Sequence, residues 1–278
     1  MKRIPEETLR QICGGIDGQY GLYVSLPEEE ETFELCSDTV LNAASTIKIP
    51  ILALLLKDLE EGRLDRDTPV PLAECNRVGG SGVLKVMSRS LALSLYDYAV
   101  LMMVVSDNCA TNQIIDALGI DRINGYFREN GWLDTHLAGK LQSPKPLLPD
   151  GTEDYNRTSA RDLGNMMERI LKEDLVSPAA SRMMLQIMAA QQVGKFDKGL
   201  PVIKHADPAQ PLPPVPEGRV YVANKGGTLS GIALHDAAII LMPNGRKIVA
   251  VLTTKTPDNT KTLEIFKEIA KTLYDSLL

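Results

Sequence analysis

The sequence predicts an α/β protein of the α+β kind, with an antiparallel five-stranded sheet, terminal helices that flank it and an inserted all-helical lobe. Three observations favour this fold class: strand-like patterns occur near the two ends of the chain, the middle has helical spacing of apolar residues, and a proline-rich connector follows the middle. A chain of 278 residues is at the upper end of what one core supports. We therefore expect one interlocked unit, with residues 1–40 plus 205–278 as an α/β lobe and residues 41–204 as a helical lobe.

Both ends of the chain contribute strands to the predicted sheet. An amphipathic helix over residues 4–13 leads into strands over residues 20–26 and 31–36, which a polar turn separates. If the two ends pair in one sheet, the first and last helices flank it. The predicted C-terminal elements are strands over residues 219–224, 232–242 and 247–254 and a helix over residues 260–277.

The middle of the chain is predicted to be helical. Residues 45–61 form a helix whose first half is almost wholly apolar, so it belongs in the centre of a domain. Pro50 lies near its first turn, where a mild local distortion is expected. No strand is predicted between residues 45 and 195. Further helices are predicted over residues 95–105, 110–118, 120–130, 160–171 and 178–191.

Charge and apolar patterning exclude several classes of function. A net charge of −6, without a run of Lys and Arg, gives no attraction for phosphate backbones, so nucleic acid is not an expected partner. The longest apolar run, residues 49–56, is far shorter than the roughly 20 residues that cross a bilayer, so no membrane span is expected. Charged residues interrupt residues 1–14, where an exported protein has a continuous apolar stretch. As written, the chain is expected to be soluble and cytoplasmic.

The cysteines indicate neither a disulfide framework nor a metal site. They have no C-x-x-C spacing and no histidine at metal-ligand intervals. Reduced, mostly buried thiols are expected, and neither a metal nor a cofactor is predicted. The four residues are Cys13, Cys36, Cys75 and Cys109.

Ser45 and Lys48 are the first candidate catalytic pair. They form an S-x-x-K motif at the start of the apolar central helix, where three-residue spacing places the hydroxyl and the amine on one face. The N-terminus of a helix has unpaired N–H groups and a positive dipole, which favour an alkoxide and the oxyanion formed when it attacks a carbonyl. Alone the motif is weak, because S-x-x-K occurs on the order of once by chance in such a chain. A capping serine beside a snorkelling lysine would explain it as well.

Two further motifs favour the catalytic interpretation. Residues 106–108 read S-D-N between two predicted helices, and residues 225–227 read K-G-G at the end of a predicted strand. In this order and spacing, the three motifs resemble those of the class A serine β-lactamases and the penicillin-binding proteins. The resemblance spans roughly residues 20–275 and implies a DD-peptidase/β-lactamase-like fold.

The resemblance implies a role for each matching residue. Ser106 would pass a proton between Lys48 and the leaving nitrogen of the substrate, the alternative being an N-cap for the next helix. Asn108 would bind Lys48 and the side-chain amide of the substrate, the alternative being a turn residue that bonds its own backbone. Lys225 would attract a substrate carboxylate and help to keep Lys48 neutral.

The resemblance also implies an oxyanion hole beside an open strand edge. Gly226 and Gly227 would leave that edge free for a ligand to lie against. The N–H groups of Ser45 and Thr228 would stabilise the oxyanion. Asp107 would fix its loop and make no contact with the substrate.

Three departures from the family pattern bear on turnover and substrate. Class A β-lactamases carry a glutamate in an E-x-x-L-N stretch, which positions the water that frees the acylated serine. Here residues 141–156 read LQSPKPLLPDGTEDYN, and Glu153 is the candidate for that role, with a solvated loop acid as the alternative. Gly226 lacks the hydroxyl that helps to hold the substrate carboxylate, and Leu234 stands where an arginine is expected. Carboxylate recognition is therefore expected to rest mainly on Lys225.

The sequence thus predicts a serine hydrolase that opens a β-lactam or a related amide or ester through an acyl-Ser45 intermediate, with slow deacylation. Two alternatives stay open: a D-amino-acid peptidase or esterase acting on a cell-wall-like substrate, and a penicillin-binding or sensor protein that acylates without turnover. The expected partner is a small molecule, and the resemblance suggests a monomer. It also implies work near the cell wall, so a periplasmic or extracellular location is expected if an export segment was trimmed.

Overall fold

A computed structural model describes residues 3–205 and 207–278 of the chain. Met1, Lys2 and Ala206, which fall in the predicted α/β lobe, lie outside the described residues. The helices are α1 Glu6–Cys13, α2 Lys48–Glu60, α3 Leu95–Val104, α4 Asn108–Leu118, α5 Ile120–Glu129, α6 Ala160–Leu171, α7 Pro178–Ala189 and α8 Asn259–Leu277. The strands are β1 Gln19–Leu26, β2 Glu31–Leu35, β3 Leu41–Asn42, β4 Val70–Pro71, β5 Ala92–Leu93, β6 Arg157–Thr158, β7 Val202–Ile203, β8 Val220–Leu229, β9 Ala233–Leu241 and β10 Lys247–Lys255.

The main sheet combines strands from both ends of the chain, as predicted. Its order is β2-β1-β10-β9-β8-β7, and neighbouring strands are antiparallel except for β7 and β8. The five predicted strands are present, and β7 is an additional, parallel edge strand. Two residues are too few to show an alternating pattern, which is why the sequence did not predict β7. Arg219 holds it in place, since its Nη2 donates to the carbonyl oxygen of Val202 at 3.0 Å.

Both faces of the sheet are covered, so strands β8, β9 and β10 are buried along nearly their whole length. On β10, Val249 and Val251 belong to the core shared with the helical lobe, whereas Ile248 belongs to the core formed with α1 and α8. Phe196 and Phe266 meet edge to face in the second core, with ring centroids 4.9 Å apart. Packing from both sides fixes the position of β8, which carries the K-G-G motif.

Helix α2 is buried in the helical lobe, as its apolar sequence predicts. Its first nine residues are all buried, so this half of the helix has no solvent-exposed face. The predicted helical start at Ser45 is a 3₁₀ turn over Ala44–Ile47, and the α-helix begins at Lys48. Pro50 therefore lies in the first turn, where its missing N–H removes no helical hydrogen bond, and the helix continues without a break.

Short strand pairs correct the prediction that no strand occurs between residues 45 and 195. Val70 in β4 pairs with Leu93 in β5, and Leu41 in β3 pairs with Thr158 in β6. These two-residue pairs carry no periodicity that a sequence could reveal. The pair of β3 and β6 ties the segment before Ser45 to the end of the loop over residues 141–156. The lobe boundaries at residues 40 and 205 stay a prediction.

The thiols differ in exposure more than expected. Cys13 and Cys109 are buried, whereas Cys36 and Cys75 are exposed, and all four are free. Half of them, and not most, are therefore shielded from solvent. Within the described ranges, none of the helices combines the length and the apolar character needed to cross a bilayer.

Candidate active site

Ser45 lies in the 3₁₀ turn that immediately precedes α2. The residue before it, Ala44, has a φ of +44°, a left-handed conformation that costs a non-glycine residue about 1–3 kcal/mol. Asn42 helps to hold this conformation, because its Oδ1 accepts a hydrogen bond from the Ala44 N–H at 2.9 Å. Backbone strain of this kind clusters at functional sites, which supports a special role for Ser45.

Lys48 is fully buried, and its Nζ has three hydrogen-bond acceptors. It donates to the carbonyl oxygen of Ser106 at 2.7 Å, to Ser106 Oγ at 3.0 Å and to Asn108 Oδ1 at 3.0 Å. Burial lowers the pKa of Lys48 to about 7, against the opposing effect of the Asp107 carboxylate. The neutral amine, which is the form that a general base requires, is therefore available near neutral pH.

Ser106 connects the two buried lysines of the site. Its Oγ accepts hydrogen bonds from Lys48 Nζ and from Lys225 Nζ, both at 3.0 Å. Ser106 lies between α3 and α4 with a φ of +57°, a second strained non-glycine residue. Asp107 is the residue that caps α4, since its Oδ1 accepts from the Ala110 N–H at 3.0 Å. The capping alternative for Ser106 therefore does not apply.

The loop over residues 79–84 holds the S-D-N segment in place. Asp107 Oδ2 accepts hydrogen bonds from the N–H groups of Val83 and Leu84 at 2.6 and 2.9 Å. Asn108 Nδ2 donates to the carbonyl oxygen of Gly79 at 3.1 Å, while its Oδ1 accepts from Lys48. Asp107 thus fixes the loop, and Asn108 is oriented by partners from two other segments.

Lys225 is the second buried lysine of the site. Its Nζ donates to Ser106 Oγ at 3.0 Å and to the carbonyl oxygen of Gly226 at 2.9 Å. Burial lowers the pKa of Lys225 well below its usual value, and the positive charges of Lys48 and Lys195 lower it further. The lysine neighbours thus disfavour the charged form of Lys225, whereas the pKa of Lys48 is lowered by burial alone.

Gly227 brings strand β8 against the nucleophile. A Cβ at this position would lie 2.9 Å from the Cβ of Ala44 and 3.0 Å from the backbone nitrogen of Ser45. A glycine is therefore needed for this close approach. Because of this approach, Thr228 and Ser45 line the same two cavities. An oxyanion hole made from their two N–H groups requires the two residues to lie side by side in this way.

Ser45, Ser81 and Thr228 lie between two cavities. One has a volume of about 440 Å³ and extends toward the loop over residues 141–156, and the other has a volume of about 420 Å³ and extends toward residues 192–198. A substrate that acylates Ser45 has room for one group on each side. The first cavity also contacts Asn42, Asn108, Gln142, Lys145 and Asn156, and the second contacts Ser106, Lys195, Lys198 and Gly226.

Comparison with known proteins agrees with this geometry. A sequence profile of the beta-lactamase enzyme family matches residues 4–277. The chain belongs to this family. A "Beta-lactamase" of Rhodobacter capsulatus is 25% identical over 193 residues, an alignment that covers 63% of this chain and 61% of that protein.

Solved structures confirm the predicted fold for this beta-lactamase family member. The structure of PBP-A superposes with a TM-score of 0.80 at 29% identity, covering 99% of this chain and 97% of that one. A beta-lactamase from Sphaerobacter thermophilus superposes with a TM-score of 0.84 at 26% identity, covering 99% of each chain. The DD-peptidase/β-lactamase-like architecture is therefore the fold of this protein.

Glu153 is not placed where the family resemblance would require it. Its side chain is exposed, and it lies outside the walls of both cavities. The loop turns back on itself here, since Glu153 bridges to Leu147 and the Leu148 N–H donates to the carbonyl oxygen of Thr152 at 2.8 Å. Among the described residues, those that line the two cavities include no aspartate or glutamate. The candidate acid for deacylation is therefore not brought to Ser45.

Sequence reasoning missed several residues of the cavity walls. Asn156 Nδ2 donates to the carbonyl oxygen of Gly139 at 3.2 Å, and the Asn156 carbonyl oxygen accepts from the Ala43 N–H at 2.7 Å, which ties the loop to the segment before Ser45. The glycines around Ser81 are the signal in the sequence that could have located it, because Gly80 and Gly82 let the backbone approach Asn108 and Asp107 closely. Single polar residues such as Asn156 gave no signal. The missed residues are Ser81, Gln142, Asn156 and Lys195.

Proposed function

We propose that the protein is a serine hydrolase that opens a β-lactam or a related amide or ester through an acyl-Ser45 intermediate and frees the acyl group slowly. The observation that carries this proposal is the buried network in which Ser106 Oγ joins Lys48 to Lys225 beside Ser45. Membership of the beta-lactamase enzyme family supports it. The network supplies a base, a proton path and a cation, which are the groups that acyl transfer from an amide needs.

Acylation begins with the transfer of the Ser45 proton to the neutral amine of Lys48. Ser45 Oγ attacks the carbonyl carbon, and the N–H groups of Ser45 and Thr228 stabilise the oxyanion. The carbon–nitrogen bond then breaks, Ser106 Oγ donates its proton to the leaving nitrogen, and Lys48 returns a proton to Ser106. The 3.0 Å contact between Lys48 Nζ and Ser106 Oγ is short enough for this relay.

Slow deacylation is supported by the composition of the cavity walls. Hydrolysis of the acyl-enzyme needs a base that activates a water molecule next to the ester. Within residues 3–205 and 207–278, neither cavity wall contributes a carboxylate to that task. Lys48 and Ser106 are the remaining candidates, and they are already engaged with each other.

A time course of intact-protein mass with a chromogenic cephalosporin tests this proposal, with product absorbance followed in parallel and Ser45→Ala as the control. We expect a stoichiometric adduct that persists after the absorbance change and is absent from Ser45→Ala. The same adduct in Ser45→Ala would overturn the assignment of the nucleophile. Rapid product formation without an adduct would overturn slow deacylation.

A D-amino-acid peptidase or esterase is a second candidate function. The lack of a carboxylate on the described cavity walls favours it, and so does the similarity to the structure named PBP-A. Such an enzyme uses the same serine and lysine on a linear substrate whose leaving group diffuses away. Turnover of a D-alanyl ester without hydrolysis of cephalosporins would select this function, whereas hydrolysis of cephalosporins alone would exclude it.

A further inference from the structure

Lys195 occupies the space that a side chain at position 226 would fill. A Cβ on Gly226 would overlap Lys195 Nζ and would lie 2.9 Å from the carbonyl oxygen of Val193. Lys195 and Gly226 line the second cavity together with Ser45. The missing hydroxyl at position 226 therefore does not leave an empty space, because a cation from a distant part of the chain fills it.

The ammonium group of Lys195 has few partners of its own. Its side chain is largely buried, with the residue only 7% exposed, and its Nζ donates to the carbonyl oxygen of Val193 at 3.1 Å. In the described part of the chain, no carboxylate forms an ion pair with it, whereas neighbouring Lys198 lies 3.8 Å from Asp197. An ammonium has three donors, so Lys195 retains donors for a ligand in the cavity. Burying a charge in this way is costly unless an anion compensates for it.

The backbone that carries Lys195 is fixed before any ligand arrives. Asp236 Oδ2 accepts hydrogen bonds from the N–H groups of Lys195 and Phe196 at 2.7 and 3.0 Å. Asn224 Nδ2 donates to the same oxygen at 2.8 Å, which joins this loop to β8. The ring of Phe196 is buried against Phe266. A ligand therefore meets a positioned cation and pays little for ordering the loop.

We propose that Lys195 binds the carboxylate of the substrate in the second cavity, beside Lys225. The inference rests on the proposed function and names the group that replaces the hydroxyl and the arginine missing at positions 226 and 234. Burial lowers the pKa of Lys195, while Asp236 and Asp197 oppose the shift, and an arriving carboxylate would favour the charged form. The preferred substrate is thus an acyl compound with a carboxylate on the side of Lys195.

Acylation rates for a chromogenic cephalosporin and for its carboxylate methyl ester test this role. In Lys195→Met, the second-order acylation constant for the acid should fall roughly 10- to 100-fold, because a charge-assisted hydrogen bond is lost. The constant for the ester should change by less than about twofold. Lys195→Arg should retain most of the activity on the acid. Lys204→Met, which removes a nearby charge that lies outside the cavity wall, is the matched control.

The outcomes separate the two proposals. If the wild type acylates neither compound at Ser45, the proposed function fails. If it acylates the acid and Lys195→Met loses equal activity on acid and ester, or none on either, the role of Lys195 is wrong. Thermal melting checks that each variant folds. If Lys195→Met does not fold, Lys195→Gln replaces it. Equal loss of activity on acid and ester, or no loss on either, would again contradict the role of Lys195.

Discussion

The two sides of Ser45 are built in different ways. On one side, Lys48, Ser106 and Lys225 are buried, are connected by hydrogen bonds near 3.0 Å and project from α2, the α3–α4 junction and β8. On the other side, the loop over residues 141–156 is irregular, and its acids stay off the cavity wall. The comparison teaches that the groups proposed for acylation are positioned by the regular core of the fold, whereas the loop over residues 141–156 supplies no carboxylate to the described cavity walls.

Removing the amine of Lys48 should have the largest effect on the acylation rate. Lys48→Met should slow acylation by on the order of 10³-fold, because the proton of Ser45 loses its acceptor. Rapid-quench mass spectrometry measures the rate, and Lys57→Met, nine residues further along the sequence in α2, is the control. A loss of less than tenfold would mean that another group takes the proton.

The pH dependence of acylation follows from the same lysine. Burial lowers the pKa of Lys48 to about 7, so below that pH the amine is protonated and cannot act as a base. The acylation rate should fall about tenfold for each pH unit below 7 and level off above it. Single-turnover measurements between about pH 5 and pH 9 give this profile. A midpoint near the ordinary pKa of lysine would show that the buried network does not tune the base.

Adding a carboxylate to the wall of the first cavity should show whether a missing acid limits deacylation. Gln142 lines the first cavity together with Ser45, so Gln142→Glu places an acid on the wall that lacks one. The decay of the acyl adduct should become about tenfold faster, less than the 10²–10⁴-fold typical of a well-positioned general base. Gln142→Met controls for the loss of the amide. An unchanged adduct lifetime in Gln142→Glu would show that a missing carboxylate is not what limits deacylation.

The smallest effect on acylation and adduct decay is expected for a substitution at Glu153. Because its side chain is exposed and lies off both cavity walls, Glu153→Gln should change acylation and adduct decay by less than about twofold. Adduct lifetimes measured by mass spectrometry check this. A tenfold slower decay would return Glu153 to the mechanism and would require the loop to move toward Ser45.

Much of the fold and of the reactive cluster could be predicted from the sequence, because both leave local patterns. Apolar segments bounded by turn residues predicted the five main strands, and the spacing of three short motifs pointed to Ser45, Lys48 and Ser106. The contribution of Lys195 arises from packing between segments that are far apart in sequence, and no spacing reports it. The role of Glu153 in deacylation stays a prediction that the structure does not support. Hydrogen bonds within its loop, which no local sequence pattern reports, hold the residue off both cavity walls.

The most direct test compares the acylation rate with the adduct decay rate in one preparation. It shows whether the site has the groups that acylation needs but lacks those that deacylation needs. The protein is acylated with excess cephalosporin, free reagent is removed by rapid gel filtration, and the mass of the Ser45 adduct is followed with time. We predict that decay is at least about 10²-fold slower than acylation, since no carboxylate of the described residues lies on the cavity walls to activate water. Decay as fast as acylation would contradict this and would mean that a water-activating group already lies at the site.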